Sequence, residues 1–143
     1  IGDYHKPKTR LPGGGGAPEI ATSCGEIFIT MKQSRRGLVE KIDFVTTFGH
    51  GVGGPARENM GLKTKGPTLM VTDLAVWKPD PETKEFTVET LHPGVTREAV
   101  QETCGWPVKF SDGLAVTPEP TELELTTLRD LQARTKAAHA GAA

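Results

Sequence analysis

Leu11-Pro12-Gly13-Gly14-Gly15-Gly16-Ala17-Pro18-Glu19-Ile20 is the segment from which the rest of this 143-residue chain is read. Its four consecutive glycines carry no side chains, so their amides can come close to a ligand. Amides curling in a turn ahead of a helix N-terminus stabilise negative charge, whether a phosphate or the oxyanion of an acyl transfer. A flexible linker is the competing reading of a bare glycine run. The flanks argue against it: Pro18 sits where a first-turn proline belongs, and the residues after it have the length of a short helix.

Upstream, residues 1–10 read as a strand end running into a basic loop. His5, Lys6, Lys8 and Arg10 there could meet a phosphate or form an ordinary solvated loop. Downstream, a helix over 17–24 ends at Gly25. The near-continuous apolar run 26–31 predicts a strand covered on both faces. A polar turn over 32–37, a helical turn over 38–41 and a second strand over 42–47 follow. Residues 48–66 read as one long glycine-rich loop, a length that is usually functional or disordered. His50 stands in it between two glycines, with no orienting partner visible.

Residues 67–77 carry the strongest strand pattern, broken at Asp73. That break reads as a cap between two strands rather than a catalytic acid. Residues 74–77 and 86–91, joined by the turn-forming 78–85, predict an antiparallel hairpin with a polar tip. His92-Pro93-Gly94-Val95 is a turn, and Thr96 caps a helix running to Thr103. A short final strand over 106–110 and a linker over 113–120 come next. The capping box Thr121-Glu122-Leu123-Glu124 then opens a last helix. That helix is expected to dock by its Leu125, Leu128 and Leu131 stripe and to fray after Lys136. This order of elements predicts one α/β domain.

Composition excludes several classes. Lys plus Arg number 17 and Asp plus Glu 18, so neither nucleic acid nor an anionic membrane is an expected partner. The longest apolar run is too short to span a bilayer, and residues from Ile1 onward show no secretory leader. Two distant cysteines, Cys24 and Cys104, without a C-x-x-C, favour a reduced, cytoplasmic protein; the sequence leaves their pairing open. The four histidines, at 5, 50, 92 and 139, have no metal-ligand spacing, so no metal is expected. P-loop and nucleophile-elbow motifs are absent.

Ile1-Gly2-Asp3-Tyr4, Lys6-Pro7-Lys8, the glycine loop through Ala21, Met31-Lys32-Gln33-Ser34, Gly49-His50-Gly51, Val71-Thr72-Asp73-Leu74 and Leu91-His92-Pro93-Gly94-Val95-Thr96-Arg97-Glu98 together carry a resemblance. So do Gly105-Trp106 and Pro120-Thr121-Glu122. The chain resembles the second half of the B (beta) subunit of class I CoA-transferases, in their 3-oxoadipate branch, across essentially its whole length. The resemblance implies an open, mixed, mostly parallel sheet with flanking helices and a β-hairpin. Residues 1–143 would be the C-terminal part of a beta-subunit domain, with 121–143 a helix and frayed tail.

It further implies transfer of CoA from succinyl-CoA to 3-oxoadipate through a glutamyl-CoA thioester, with CoA as substrate and no separate cofactor. Partners would be the CoA-transferase A (alpha) subunit and the N-terminal half of the beta subunit, in an A2B2 assembly acting on acyl-CoA and a dicarboxylic acid. The thioester and oxyanion role falls on Gly13, Gly14, Gly15, Gly16 and Ala17; Lys6 and His50 are further site candidates on their own side-chain chemistry, not on the resemblance. The family's Glu-Ser-Gly or Glu-Asn-Gly nucleophile motif is absent here, and Glu58-Asn59-Met60-Gly61 stands in the wrong place. This chain therefore offers no catalytic nucleophile, and alone it is expected to be inactive. An inactive fragment or interaction domain, or a CoA-thioester hydrolase, are the alternatives.

Overall fold

A computed structural model describes residues 1–140. Five strands form one open sheet in the order β1 (Ile27–Met31), β2 (Pro67–Thr72), β3 (Ala75–Pro79), β4 (Phe86–Leu91), β5 (Lys109–Val116). β1/β2 and β4/β5 pair in parallel, while β2/β3 and β3/β4 are antiparallel. The sheet is open and mixed as expected, with its pairings evenly divided rather than mostly parallel. The expected hairpin is β3–β4, with Val76 opposite Thr90. Helices α1 (Ala17–Ser23), α2 (Ala56–Asn59), α3 (Arg97–Glu102) and α4 (Glu122–Ala140) complete the chain.

The core lies between the central strands and α3. Ala75, Trp77, Val88, Val100 and Cys104 are all fully buried, with Met70, Leu91 and Leu38 against them. Thr96 holds α3 in place as its N-cap, accepting from the Ala99 amide at 3.2 Å. The Gly105 amide then donates to the Leu38 carbonyl at 2.8 Å. A Cβ on Gly105 would lie 2.8 Å from that carbonyl and from the Glu40 amide, so only glycine permits the two backbones to touch. The Trp77 indole N–H finds no acceptor in this core.

Several expectations are corrected. Residues 42–47 form no strand: no neighbouring strand pairs with them, and Ile42, Phe44 and Val45 stand 57–62% exposed. Residues 38–41 form no helical turn; Leu38 is drawn into the core instead. β1 is an edge strand with alternating burial and an exposed Phe28, so it is not covered on both faces. The 48–66 loop contains the one-turn helix α2, which four residues were too few to signal. The last strand is longer and later than 106–110, taking in 113–116 of the expected linker, because β4 offers pairing partners as far as Leu91. Residues 1–10 hold only an isolated bridge, Gly2 with Pro7. α4 keeps its capping box, Thr121 and Glu124 exchanging backbone–side-chain bonds. It does not dock, since no residue in it is buried, and it continues regularly past Lys136 to Ala140. Gly141, Ala142 and Ala143 of the expected tail lie outside the described residues.

Candidate functional site

The glycine segment is a turn delivered into a helix. Ala17 N–H donates to the Gly14 carbonyl at 3.1 Å and Ile20 N–H to the Gly16 carbonyl at 3.0 Å. Gly15 sits at φ +55°, which a glycine adopts without strain. Pro18 occupies the first turn as predicted, and no side chain caps Gly16. Ala17 thereby spends its amide inside the turn. Among the described residues, the amides of Gly13, Gly14, Gly15 and Gly16 have no internal acceptor. All five residues are exposed.

This turn shares its surface with two other segments. A Cβ on Gly14 would stand 3.4 Å from the Thr46 carbonyl. The 42–47 segment is tied in turn to the chain start: Gly2 N–H donates to Asp43 Oδ2 at 2.7 Å, and Tyr4 stacks on Phe44 at 5.5 Å. Lys6 rides on a loop closed by Ile1 N to Thr9 O at 2.7 Å and by the Asp3 carboxylate on its own amide. The result is an open surface in which Tyr4, Leu11, Ile20, Ile42, Phe44 and Val45 are all exposed beside the glycines.

A second group, unsuspected from the sequence, gathers where β2 ends. Gln33, 5% exposed, gives its side-chain amide hydrogens to the Val100 carbonyl at 3.1 Å and Thr103 Oγ1 at 2.9 Å. Its carbonyl accepts from Thr72 Oγ1 at 3.0 Å. Its backbone N–H donates to Asp73 Oδ1 at 2.7 Å. Asp73 therefore ties the 32–37 loop down rather than capping the strand break. The break itself is made by the Thr72 hydroxyl, which accepts from the Leu74 and Ala75 amides. His92 Nε2 faces the Thr72 carbonyl at 2.9 Å, so Nε2 carries the proton, while Nδ1 meets Thr117 Oγ1 at 3.0 Å. These ties stiffen the end of a parallel strand, the place where open α/β sheets bind ligands. Gln33 stands between Lys32 and Ser34 in a polar stretch, so nothing in the sequence signals these ties.

His50 and Arg57 belong elsewhere, to a cavity of about 680 Å3 near the start of β2. Neither Lys6 nor any of residues 13–17 lines it, so the structure does not bring the three sets of candidates together. His50 Nε2 donates to the Pro67 carbonyl at 2.6 Å. Burial lowers its pKa below the usual histidine value; that hydrogen bond opposes the shift, and the nearby Arg57 and Lys84 charges add to it. Cys24 and Cys104 are both free thiols, and burial pushes the Cys104 thiol pKa up. No group of three or more metal-ligating side chains is found among the described residues. No helix among them is long and apolar enough to cross a membrane.

Comparison with known proteins gives a consistent answer. The coenzyme A transferase family profile matches residues 1–103. The chain is 54% identical over 139 residues to the B subunit of 3-oxoadipate CoA-transferase from Pseudomonas knackmussii, covering 97% of this chain and 54% of that one. It is 39% identical over 127 residues to the B subunit of glutaconate CoA-transferase from Acidaminococcus fermentans, covering 87% and 47%. The crystal structure of the Acidaminococcus glutaconate coenzyme A-transferase superposes with a TM-score of 0.78 at 36% identity, over 90% of this chain and 49% of that one. Rhodococcus jostii IpdAB superposes with a TM-score of 0.76 at 26% identity, over 90% and 51%. The chain thus spans about half the length of the relatives it matches.

Proposed function

The chain belongs to the coenzyme A transferase family, and on that premise we propose that it forms the C-terminal part of the beta subunit of a CoA-transferase acting on succinyl-CoA and 3-oxoadipate. The observation that carries the choice of substrate is the 54% identity, across nearly the whole chain, to the corresponding part of a 3-oxoadipate CoA-transferase. Its working partners in this reading are an alpha subunit and the N-terminal half of the beta subunit, assembled as A2B2 in the cytoplasm. CoA enters as substrate, and no further cofactor is used.

The chemistry divides between the chain and those partners. A glutamate outside this chain attacks the thioester carbonyl and expels CoA thiolate, giving a mixed anhydride; the thiolate then attacks the glutamyl carbonyl, which releases succinate and leaves a glutamyl-CoA thioester. The acceptor acid reverses the sequence. This chain supplies main-chain donors to the oxyanion of each tetrahedral intermediate. The turn supports that role for Gly13, Gly14, Gly15 and Gly16, whose exposed amides have no acceptor among the described residues, better than for Ala17, whose amide is engaged. Lys6, on its exposed loop, is a candidate for the anionic end of CoA, and His50 is a weaker one because its ring is held by Pro67.

Incubation of the complete assembly with succinyl-CoA, borohydride reduction and peptide mass spectrometry test the proposal. The expected product is a reduced glutamate in a peptide outside this chain, with no turnover by the isolated chain. Turnover by the chain alone, or modification of Glu58, overturns it. A second reading, hydrolysis of a CoA-thioester ring system, is favoured by 26% identity over 131 residues to the cholesterol ring-cleaving hydrolase IpdB subunit of Rhodococcus jostii. An active assembly that never forms the glutamyl adduct selects that reading.

A further inference from the structure

The cavity beside α2 has a one-sided charge. Arg57, Lys63, Lys65 and Lys84 line it against a single carboxylate, Glu58. Two of these cations have other engagements: Lys65 lies 3.6 Å from Glu26, and Lys84 Nζ donates to the Pro81 carbonyl at 2.6 Å. Arg57 is different in kind, since it is only 6% exposed. Nε donates to the Thr64 carbonyl at 3.1 Å, one terminal nitrogen to the Gly49 carbonyl at 2.8 Å and the other to Thr64 Oγ1. A guanidinium has five N–H groups, so these bonds leave two unused. No carboxylate pairs with Arg57 among the described residues.

A buried cation without a counter-ion is costly, and this one is firmly seated. Thr64 Oγ1, which receives it, is itself fixed by donating to the Thr22 carbonyl at 3.0 Å. The guanidinium lies flat on Gly66, where an added Cβ would come within 2.8 Å of its carbon. His50 in the same wall donates to the Pro67 carbonyl at 2.6 Å, and an imidazole brings no negative charge to offset Arg57. Pro67 and Pro79 add apolar wall. The volume, about 680 Å3, falls within the range of small-molecule sites and far exceeds what a bare inorganic ion fills.

We infer that this cavity binds a small organic oxyanion, a phosphate- or carboxylate-bearing molecule, through the unused Arg57 N–H groups, with Lys63 and Lys84 flanking. It shares no residue with the glycine turn, and although His50, the weaker CoA candidate, stands in its wall, the test reads anion binding by this chain rather than transfer, so the two readings can fail separately. The test is calorimetric titration of the protein at low salt with inorganic phosphate, with succinate and with the neutral 1,4-butanediol. The His50 ring proton is followed by NMR in parallel. Saturable one-to-one binding of phosphate or succinate, weakening with added salt and moving the His50 resonance, is expected, with none for the diol. The tighter of the two anions identifies the head group. Arg57→Lys, and separately the double variant Lys63→Ala/Lys84→Ala, should each weaken binding about tenfold. Failure of both anions to saturate, or undiminished binding in the double variant, refutes the site. Lys63 is exposed and Lys84 half-buried, both outside the core, so the double variant decides the matter if Arg57→Lys does not fold.

Discussion

Replacing Gln33 by glutamate changes one atom's chemistry while keeping the shape, and the outcome follows from three hydrogen bonds. The Gln33 amide nitrogen feeds the Val100 carbonyl and Thr103 Oγ1, and its oxygen receives Thr72 Oγ1. In Gln33→Glu the oxygen facing Thr72 keeps its donor, but the other position presents lone pairs to the Val100 carbonyl. Two neutral hydrogen bonds, worth about 1 kcal/mol each, are lost. Ionisation in a pocket where the parent residue is 5% exposed adds a desolvation term, bringing the expected loss to about 3–5 kcal/mol. That is a large part of the roughly 5–15 kcal/mol that keeps a domain folded. Gln33→Met deletes those two bonds and the one from Thr72, whose hydroxyl still reaches the Ala75 carbonyl at 3.1 Å; with no charge introduced it should lose about 2 kcal/mol.

Urea unfolding followed by circular dichroism separates these contributions. The introduced carboxyl is disfavoured as an anion in the fold, so the folded state binds the extra proton. The penalty in Gln33→Glu therefore grows as pH rises above about 4.3, the unfolded carboxyl value, and shrinks below it. Gln33→Met should show no such dependence relative to the parent. If Gln33→Glu is as stable as Gln33→Met near neutrality, or if their difference is flat with pH, the amide does not hold α3 to the 32–37 loop in the way described.

Three further outcomes are expected. Gly15→Ala meets no neighbour within 4 Å, so its effect is confined to the φ of +55°; thermal unfolding should register a loss of about 1 kcal/mol, and kcat of the complete assembly should fall with it if the neighbouring amides hold an oxyanion. His50 has a pKa below that of the unfolded chain, so the unfolded state binds the proton first; stability should decline as pH drops below about 6.5, and His50→Gln should remove that part of the slope in urea titrations. Deleting residues 121–140 should leave the melting temperature of the remaining sheet nearly unchanged, because no residue of α4 is buried and Leu123, Leu128 and Leu131 are 50–77% exposed; a marked drop would show that the helix packs against the sheet.

Local chemistry written over a few residues determined much of this protein by itself. The glycine run with Pro18, the Thr96 cap, the capping box at Thr121 and the alternation of the β3–β4 hairpin all depend on near neighbours, and each stands in the structure at or close to its expected position. Family membership was likewise written in short motifs. Tertiary structure alone decided what depends on distant partners. The pattern over residues 42–47 predicts a strand and the leucine stripe of α4 a docked helix, yet a strand needs a neighbour and an amphipathic helix needs a face to cover, and among the described residues neither segment has one. Gln33 and Arg57 could not be found in advance for the same reason: hydrogen bonds of Gln33 reach across as many as 70 residues, and Arg57 is buried only because Thr64, Gly49 and Gly66 converge on it. A polar side chain in the interior is specified by the groups that meet it, and sequence spacing does not record which groups those will be.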